Sequence, residues 1–289
     1  MTIGALGALV RQAPRVPSHQ DLRRQYWPND RDREPFMEQS VRHAVTTIRE
    51  RFGEPLTLDD LAQSVMLSKY HFLRVFSRVT GVTPGRFLSA VRLQEAKRLL
   101  LSTSLNVAEV SVQVGYSSTG SFTRRFTESV GLCPTQYRKL SLASRSQTRR
   151  TPLSQETTAA CLPVPQAWST GSVTGVVRAT GAELQTTYVG AFDGAILQGV
   201  PASWSNACAS GRFTLARIPT GMWYIHAVAQ GKNSGGGAGP EPLLMATVGP
   251  VQVARGTGHL FDITLSPMDW TRPPILSALT GIDLQPTAA

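Results

Sequence analysis

Two arginines, Arg74 and Arg124, occupy the same place in a degenerate internal repeat, each on the side of a short helix left over once its apolar stripe is assigned. A guanidinium held outward on a helix can donate two parallel hydrogen bonds to the O6 and N7 edge of a guanine. Around them, Leu61, Val65 and Ser68 recur as Val110, Val114 and Ser117, each 49 positions on. Phe72, Arg74, Phe76, Gly81 and Pro84 recur as Phe122, Arg124, Phe126, Gly131 and Pro134, each 50 positions on. The copies thus differ by one residue, which belongs in a turn, where a loop tolerates it. Each copy reads as a short helix, a tight turn and a second helix. Two such units in tandem, in a basic chain, point to double-stranded DNA as the partner.

The elements that must position these arginines follow from capping and periodicity. In the first copy Thr57 is the N-cap, with Asp60 three residues on as in a capping box. Leu58, Leu61, Ala62 and Val65 give that helix one apolar face, and Ser68 caps the next. The second helix buries Phe72, Val75, Phe76 and Val79, which leaves Tyr70, Leu73, Arg74 and Ser77 outward. In the second copy Asn106 and Glu109 repeat the cap, and Ser117 or Ser118 caps a helix that buries Phe122, Phe126 and Val130. Its outward residues are Gly120, Thr123, Arg124 and Thr127, with Thr119 and Ser121 at the tip. Between the copies, Thr83 and Pro84 start a helix through Phe87, Val91, Leu93, Ala96, Leu99 and Leu100. About 18 residues at 1.5 Å each make a strut of roughly 27 Å. Successive major grooves lie about 34 Å apart, so two reading heads on this strut imply some bending of the DNA.

These residues resemble the AraC/XylS family of transcription regulators. Ser68 to Leu100 reads S-x3-F-L-R-x-F-S-x3-G-V-T-P-x2-F-L-x3-R-L-x2-A-x2-L-L, and Val107 to Arg138 reads V-A-E-V-x3-V-G-Y-x5-F-T-R-x-F-x4-G-x2-P-x2-Y-R. The resemblance implies a helical unit over 36–142 in which the outward residues of both second helices touch base edges. Carried over position by position, these are Tyr70, Leu73 and Arg74, then Thr119, Gly120, Ser121, Thr123 and Arg124. Leu73 stands where polar residues are common, and Gly120 offers no side chain. Direct readout therefore leans on the two arginines, with Tyr70 and Leu73 left mainly to thymine methyls. Most members place the sensing domain before the DNA-binding unit; here the extra domain follows it.

Charge supports the same partner. Residues 1–150 carry 23 Lys and Arg against 12 Asp and Glu, whereas the remainder carries 6 against 7, so the basic excess sits with the repeat. Lys69, Arg78, Arg86 and Arg125 flank the reading helices and either bind phosphates or form a solvated basic surface. Cys133, Cys161 and Cys208 are scattered, no CxxC pair occurs and the five histidines lack ligand spacing, which argues against a disulfide framework, a metal site or a cofactor. The apolar run Met1–Val10 has no basic residue before it and cannot span a bilayer, so the expected location is cytoplasmic, at the nucleoid.

The second half has a different texture. Seven short runs (Ser172–Ala179, Thr187–Phe192, Arg212–Arg217, Met222–Val228, Leu243–Val248, Val251–Ala254 and His259–Leu265) alternate with Gly and Pro and predict an antiparallel β-sandwich of about seven strands. Val173-x-Gly175-x-Val177, Gly211 to Gly221 and Trp223-x-Ile225-x-Ala227 resemble a carboxypeptidase regulatory-like, transthyretin-type domain. Asp193, Asp262, His226 and His259 are isolated and make no catalytic set. Trp204, Trp223 and Tyr224 either line a ligand site or pack in the core.

The expected organisation is a multidomain α and β chain: a flexible arm (1–35), a seven-helix unit with two helix-turn-helices (36–142), a linker (143–168), the β-sandwich (169–267) and a tail (268–289) that docks on another surface. The expected function is sequence-specific regulation of transcription without catalysis. The β domain would sense an unidentified effector, self-associate or contact RNA polymerase. The alternative is a DNA-associated adaptor whose β domain makes the main protein contact.

Overall fold

The structure, a computed structural model, describes residues 33–139, 170–179, 183–232 and 243–279. The expected linker and all but the last residues of the expected arm lie outside the described residues. The first helix, α1 (Arg33–Glu50), starts a few residues before the expected boundary at 36 and buries Val41, Ala44, Val45 and Ile48. Then follow α2 (Leu58–Ser64), α3 (Lys69–Thr80), α4 (Pro84–Ser102), α5 (Val107–Gln113) and α6 (Thr119–Val130). A seventh helix, α7, runs over 134–139.

The repeat is visible in the fold. Helices α2 and α5 are both 7 residues long, and α3 and α6 are both 12. The one-residue difference falls in the turns, 65–68 in the first copy and 114–118 in the second. Both short helices carry complete capping boxes, Thr57 with Asp60 and Asn106 with Glu109. Ser118 caps α6 through Ser121 N–H, but Ser68 caps α3 by position only, without a side-chain hydrogen bond. Both long helices end on glycine in the left-handed region, Gly81 at φ 76° and Gly131 at φ 87°. Each core is a run of packed rings: Phe72, Phe76 and Phe87 at 5.5 and 5.7 Å, and Phe122, Phe126 and Tyr137 at 5.6 and 5.7 Å. Tyr137 is thus the counterpart of Phe87, again 50 positions on. Val79, expected in the stripe, is only half-buried, and Thr80 is buried in its place, its hydroxyl donating to the Phe76 and Val82 carbonyls.

The second half has strands β1 (Thr170–Ala179), β2 (Glu183–Phe192), β3 (Ser203–Asn206), β4 (Arg212–Pro219), β5 (Gly221–Lys232), β6 (Leu243–Val253) and β7 (Gly258–Pro267). Their order is β3-β2-β5-β6-β7-β1-β4. Among the described residues the expected count of about seven strands holds, but the sheet is mixed rather than antiparallel, because β1 runs parallel to β7. These two strands are joined by the whole of the intervening chain, so no tight turn forces them antiparallel. The β6–β7 junction is only two residue pairs long, which lets the sheet fold over on itself. Ser203 Oγ on one end strand donates to the Ala216 carbonyl on the other at 2.8 Å, so the curl is nearly closed like a barrel. Its core includes Val173, Val177, Val189, Leu215, Ile218, Ile225, Ala227 and Ile263.

Two strand expectations need correction. The separate runs ending at Val248 and starting at Val251 are one strand, β6, whose pairing with β5 passes from Ile225↔Val248 to Trp223↔Val251. Gly249 and Pro250 oppose Tyr224 alone, a bulge in which a proline withdraws no ladder donor. Strand β3 was missed because it is four residues long and reads Ser-Trp-Ser-Asn, with no apolar alternation.

Candidate nucleic-acid interface

The frame that holds the two reading helices is built around Arg92, on α4. Its guanidinium donates to the Phe52 and Glu54 carbonyls at 2.7 Å each, and it lies 6.0 Å from the centroid of the Tyr116 ring. One side chain therefore ties the loop before the first helix-turn-helix to the turn of the second. A Cβ on Gly115 would stand 2.9 Å from the Gly53 carbonyl oxygen and 3.0 Å from Arg92 Nη2, so the two heads meet where no side chain fits. Arg138 performs a similar service at the far end of α4, donating to the Leu100 and Leu105 carbonyls. Both arginines are spent on backbone oxygens, a role the sequence pattern did not single out. Burial lowers the Arg92 pKa from its ordinary value, but a guanidinium stays charged through any working pH.

On this frame the expected reading residues fall on the open faces of α3 and α6. Tyr70 is 85% exposed, Arg74 and Arg124 are exposed, and Leu73 is half-buried. At the start of α6, Thr119, Gly120 and Ser121 are exposed and Thr123 is half-buried. Nothing stands within 4 Å of where a Gly120 Cβ would be, so this position is open rather than tight. Thr119 is partly engaged, its hydroxyl 3.3 Å from Ser111 Oγ, which joins the two helices of the second head. Ser121 Oγ accepts from Ser118 Oγ at 2.9 Å.

Not every basic residue on this face is uncommitted. Lys69 pairs with Asp59 at 2.9 Å, and that hydrogen bond raises its pKa. Arg124 pairs with Glu128 one turn on at 3.2 Å. Both are solvent-exposed pairs, weakly held in water, so a phosphate or a base edge can displace either carboxylate. Arg78, Arg86 and Arg125 are exposed on the helices that flank the two turns.

The remaining sequence candidates do not converge. His226 is fully buried, with Nδ1 2.9 Å from Thr247 Oγ1 and Nε2 2.9 Å from the Gly194 carbonyl. A carbonyl only accepts, so Nε2 carries the proton and Nδ1 accepts from the threonine. Burial pushes the pKa of this ring down to about 4. Both nitrogens are therefore occupied, neither by a carboxylate. Asp262 lies 3.8 Å from Arg178, and His259 stacks on Phe261. Trp223 donates to the Pro219 carbonyl at 2.7 Å, Trp204 stacks on Tyr188, and Tyr224 stacks on His226. Cys133 and Cys208 are free thiols, and no group of three or more His, Cys, Asp or Glu that could hold a metal ion occurs among the described residues. No helix among them is long and apolar enough to cross a membrane.

Residues 61–140 match the model of a helix-turn-helix domain family. The transcriptional activator AarP of Providencia stuartii is 30% identical over 103 residues, which are 36% of this chain and 76% of that protein. The chain belongs to the AraC family of helix-turn-helix transcription regulators. The lactose operon transcription activator of Staphylococcus xylosus is 29% identical over 36% of this chain and 37% of its own length. Among solved structures, the DNA-binding domain of AdpA, in complex with a target DNA, is 29% identical and covers 37% of this chain and 96% of that one, with a TM-score of 0.36. The chain spans only about a third of the length of the first relatives it matches. The residues matched by the family model lie within the helical unit.

Proposed function

We propose that this AraC-family chain is a sequence-specific regulator of transcription that lays α3 and α6 into successive major grooves of double-stranded DNA. The observation that carries the reading is the pair Arg74 and Arg124, exposed at equivalent positions on two long helices that Arg92 and Gly115 lock into one frame. Tyr70, Leu73, Thr119, Gly120, Ser121 and Thr123 complete the base-reading surface, and Lys69, Arg78, Arg86 and Arg125 take phosphates. The two heads present different side chains, so the site is one continuous, non-palindromic stretch per monomer. We read the organisation as an arm, the helical unit at 36–142, a linker at 143–168, a β unit at 169–267 and a tail. The β unit, which we read as transthyretin-like, is the regulatory part, by way of an effector, a second copy or RNA polymerase.

Selection from a random duplex library with the full chain, followed by footprinting, tests this. A sharp asymmetric motif, bound with an affinity that falls steeply with salt, is the expected result. Diffuse binding without a motif overturns it in favour of a DNA-associated adaptor.

A further inference from the structure

Lys97 is 2% exposed, which is rare for a lysine. It sits on α4 among apolar neighbours. Its ammonium donates to the carbonyls of Ile275 and Ser277, both at 3.3 Å, and lies 5.6 Å from the centroid of the Tyr137 ring. Those two carbonyls belong to the segment that follows β7. The same segment bonds elsewhere on both sides. Toward the helices, Ala278 N–H donates to the Val130 carbonyl at the end of α6 at 3.0 Å, and Arg42 on α1 stands 4.4 Å from the Trp270 ring centroid. Toward the β unit, Leu276 and Ser277 N–H donate to the Leu197 carbonyl at 2.9 and 3.2 Å, while Ile275 and Leu279 pack with Phe192, Leu197, Val228 and Met245. The loop before β3 joins in: Gly199 N–H donates to the Ser129 carbonyl on α6, and Ser277 Oγ donates to the Gly199 carbonyl.

We propose that the segment Trp270–Leu279 is a brace that fixes the second reading helix relative to α4 and the β unit, with Lys97 as its anchoring positioning residue. The geometry suits that task. The bonds from the brace and the 199 loop all reach α6 at its last turn, Ser129 and Val130, whereas Thr119, Gly120, Ser121 and Arg124 toward its other end stay exposed. The β unit therefore grips α6 by its C-terminal end and leaves the end expected to enter the groove free. A buried ammonium is costly unless its donors are met, so displacing the segment would take two carbonyl acceptors from Lys97 and return Ile275 and Leu276 to water. Docked and displaced states of the segment are thus discrete, and whatever binds the β unit near the 194–200 loop has a physical route to α6.

Two variants of the full chain test this: Lys97→Met, which keeps the stem and removes the donor, and Ala278→Pro, which removes the N–H that Val130 accepts and leaves the helical residues untouched. The first readout is amide hydrogen exchange and needs no DNA. We expect exchange at Ser129–Gly131 and across 270–279 to rise roughly tenfold or more in both variants, with helical circular dichroism retained. Unchanged exchange at the end of α6 in Lys97→Met overturns the proposal; should Ala278→Pro fail to fold, Lys97→Met decides alone. The second readout rests on the DNA-binding reading above and uses the duplex selected by the wild-type chain, together with the same duplex carrying two extra base pairs between its halves. The wild type should lose about tenfold in affinity on the longer duplex, and the variants only a few-fold. Equal penalties in all three proteins overturn the brace as a spacing device. If no sequence is selected at all, the DNA reading fails while the exchange result still settles the brace.

Discussion

Met66 and Gly115 are the same residue of the repeat, 49 positions apart, and both adopt left-handed backbone, at φ 54° and φ 83°. The turn of each helix-turn-helix demands this conformation, yet only one copy meets it with glycine. The reason is the neighbourhood. Met66 is 88% exposed, whereas a side chain on Gly115 would meet the Gly53 carbonyl and the Arg92 guanidinium. The second turn faces the other head; the first faces solvent.

Met66→Gly should therefore stabilise the chain by roughly 0.5–1 kcal/mol, the cost of left-handed backbone at a non-glycine residue less the entropy that glycine regains on unfolding. Gly115→Ala should destabilise it by about 1–3 kcal/mol. Urea denaturation followed by circular dichroism checks both, and a loss of stability in Met66→Gly would contradict the account of the turn.

Arg74→Ala and Arg124→Ala should each weaken binding to the selected duplex by ~1–3 kcal/mol and relax preference at one part of the site only. Gel-shift titrations against the selected duplex and a scrambled one separate base reading from phosphate contact. Equal losses on both duplexes would reassign these arginines to phosphates.

Glu128→Gln should tighten binding a few-fold at low salt. The change frees Arg124 from its ion pair and removes a negative charge from the face that meets the phosphates. The gain should shrink as salt rises, and a gain that does not depend on salt would point away from electrostatics.

His226 makes the fold acid-sensitive. Its folded pKa of about 4 lies below the ordinary value of 6.5, first through burial and then through the charge of Arg272, while the bond to Gly194 opposes the shift. Between these two values the unfolded chain binds the proton and the folded chain does not. The stabilisation is thus complete above pH 6.5 and is lost as pH falls toward 4, by on the order of 3 kcal/mol. Thermal melts of the wild type and of His226→Gln at pH 7 and at pH 4.5 test this. The variant should be less stable at pH 7 and lose less on acidification; parallel losses would clear His226 of the effect.

Much of the helical unit was legible because its determinants are local. Caps such as Thr57 with Asp60, glycines such as Gly81 and Gly131, and the phenylalanine spacing act over three to ten residues, and the repeat displays each of them twice. The outward placement of Arg74 and Arg124 followed by subtraction from the buried stripe. Strand existence was also local, β3 excepted, but strand partnership was not: nothing in the alternation of β1 says that its neighbours are β4 and, in parallel, β7. Nor does Gly249-Pro250 declare itself a bulge rather than a break until Tyr224 lies opposite.

The tail shows the division most sharply. Its apolar residues Ile275, Leu276 and Leu279 mark it as a segment that docks, because such side chains gain by leaving water wherever they find a surface. Where it docks is a matter of backbone oxygens. The Ile275 and Ser277 carbonyls are chemically like every other carbonyl in the chain, and Lys97 looks like any solvated lysine on a basic helix. Their meeting spans 178 and 180 residues of sequence and goes with the bonds that the same segment makes to Leu197 and Gly199 of the β unit and to the end of α6. Local pattern determined which elements form and which faces are apolar. Only the packed fold decided which lysine would be buried, because burial belongs to a shape and not to a residue.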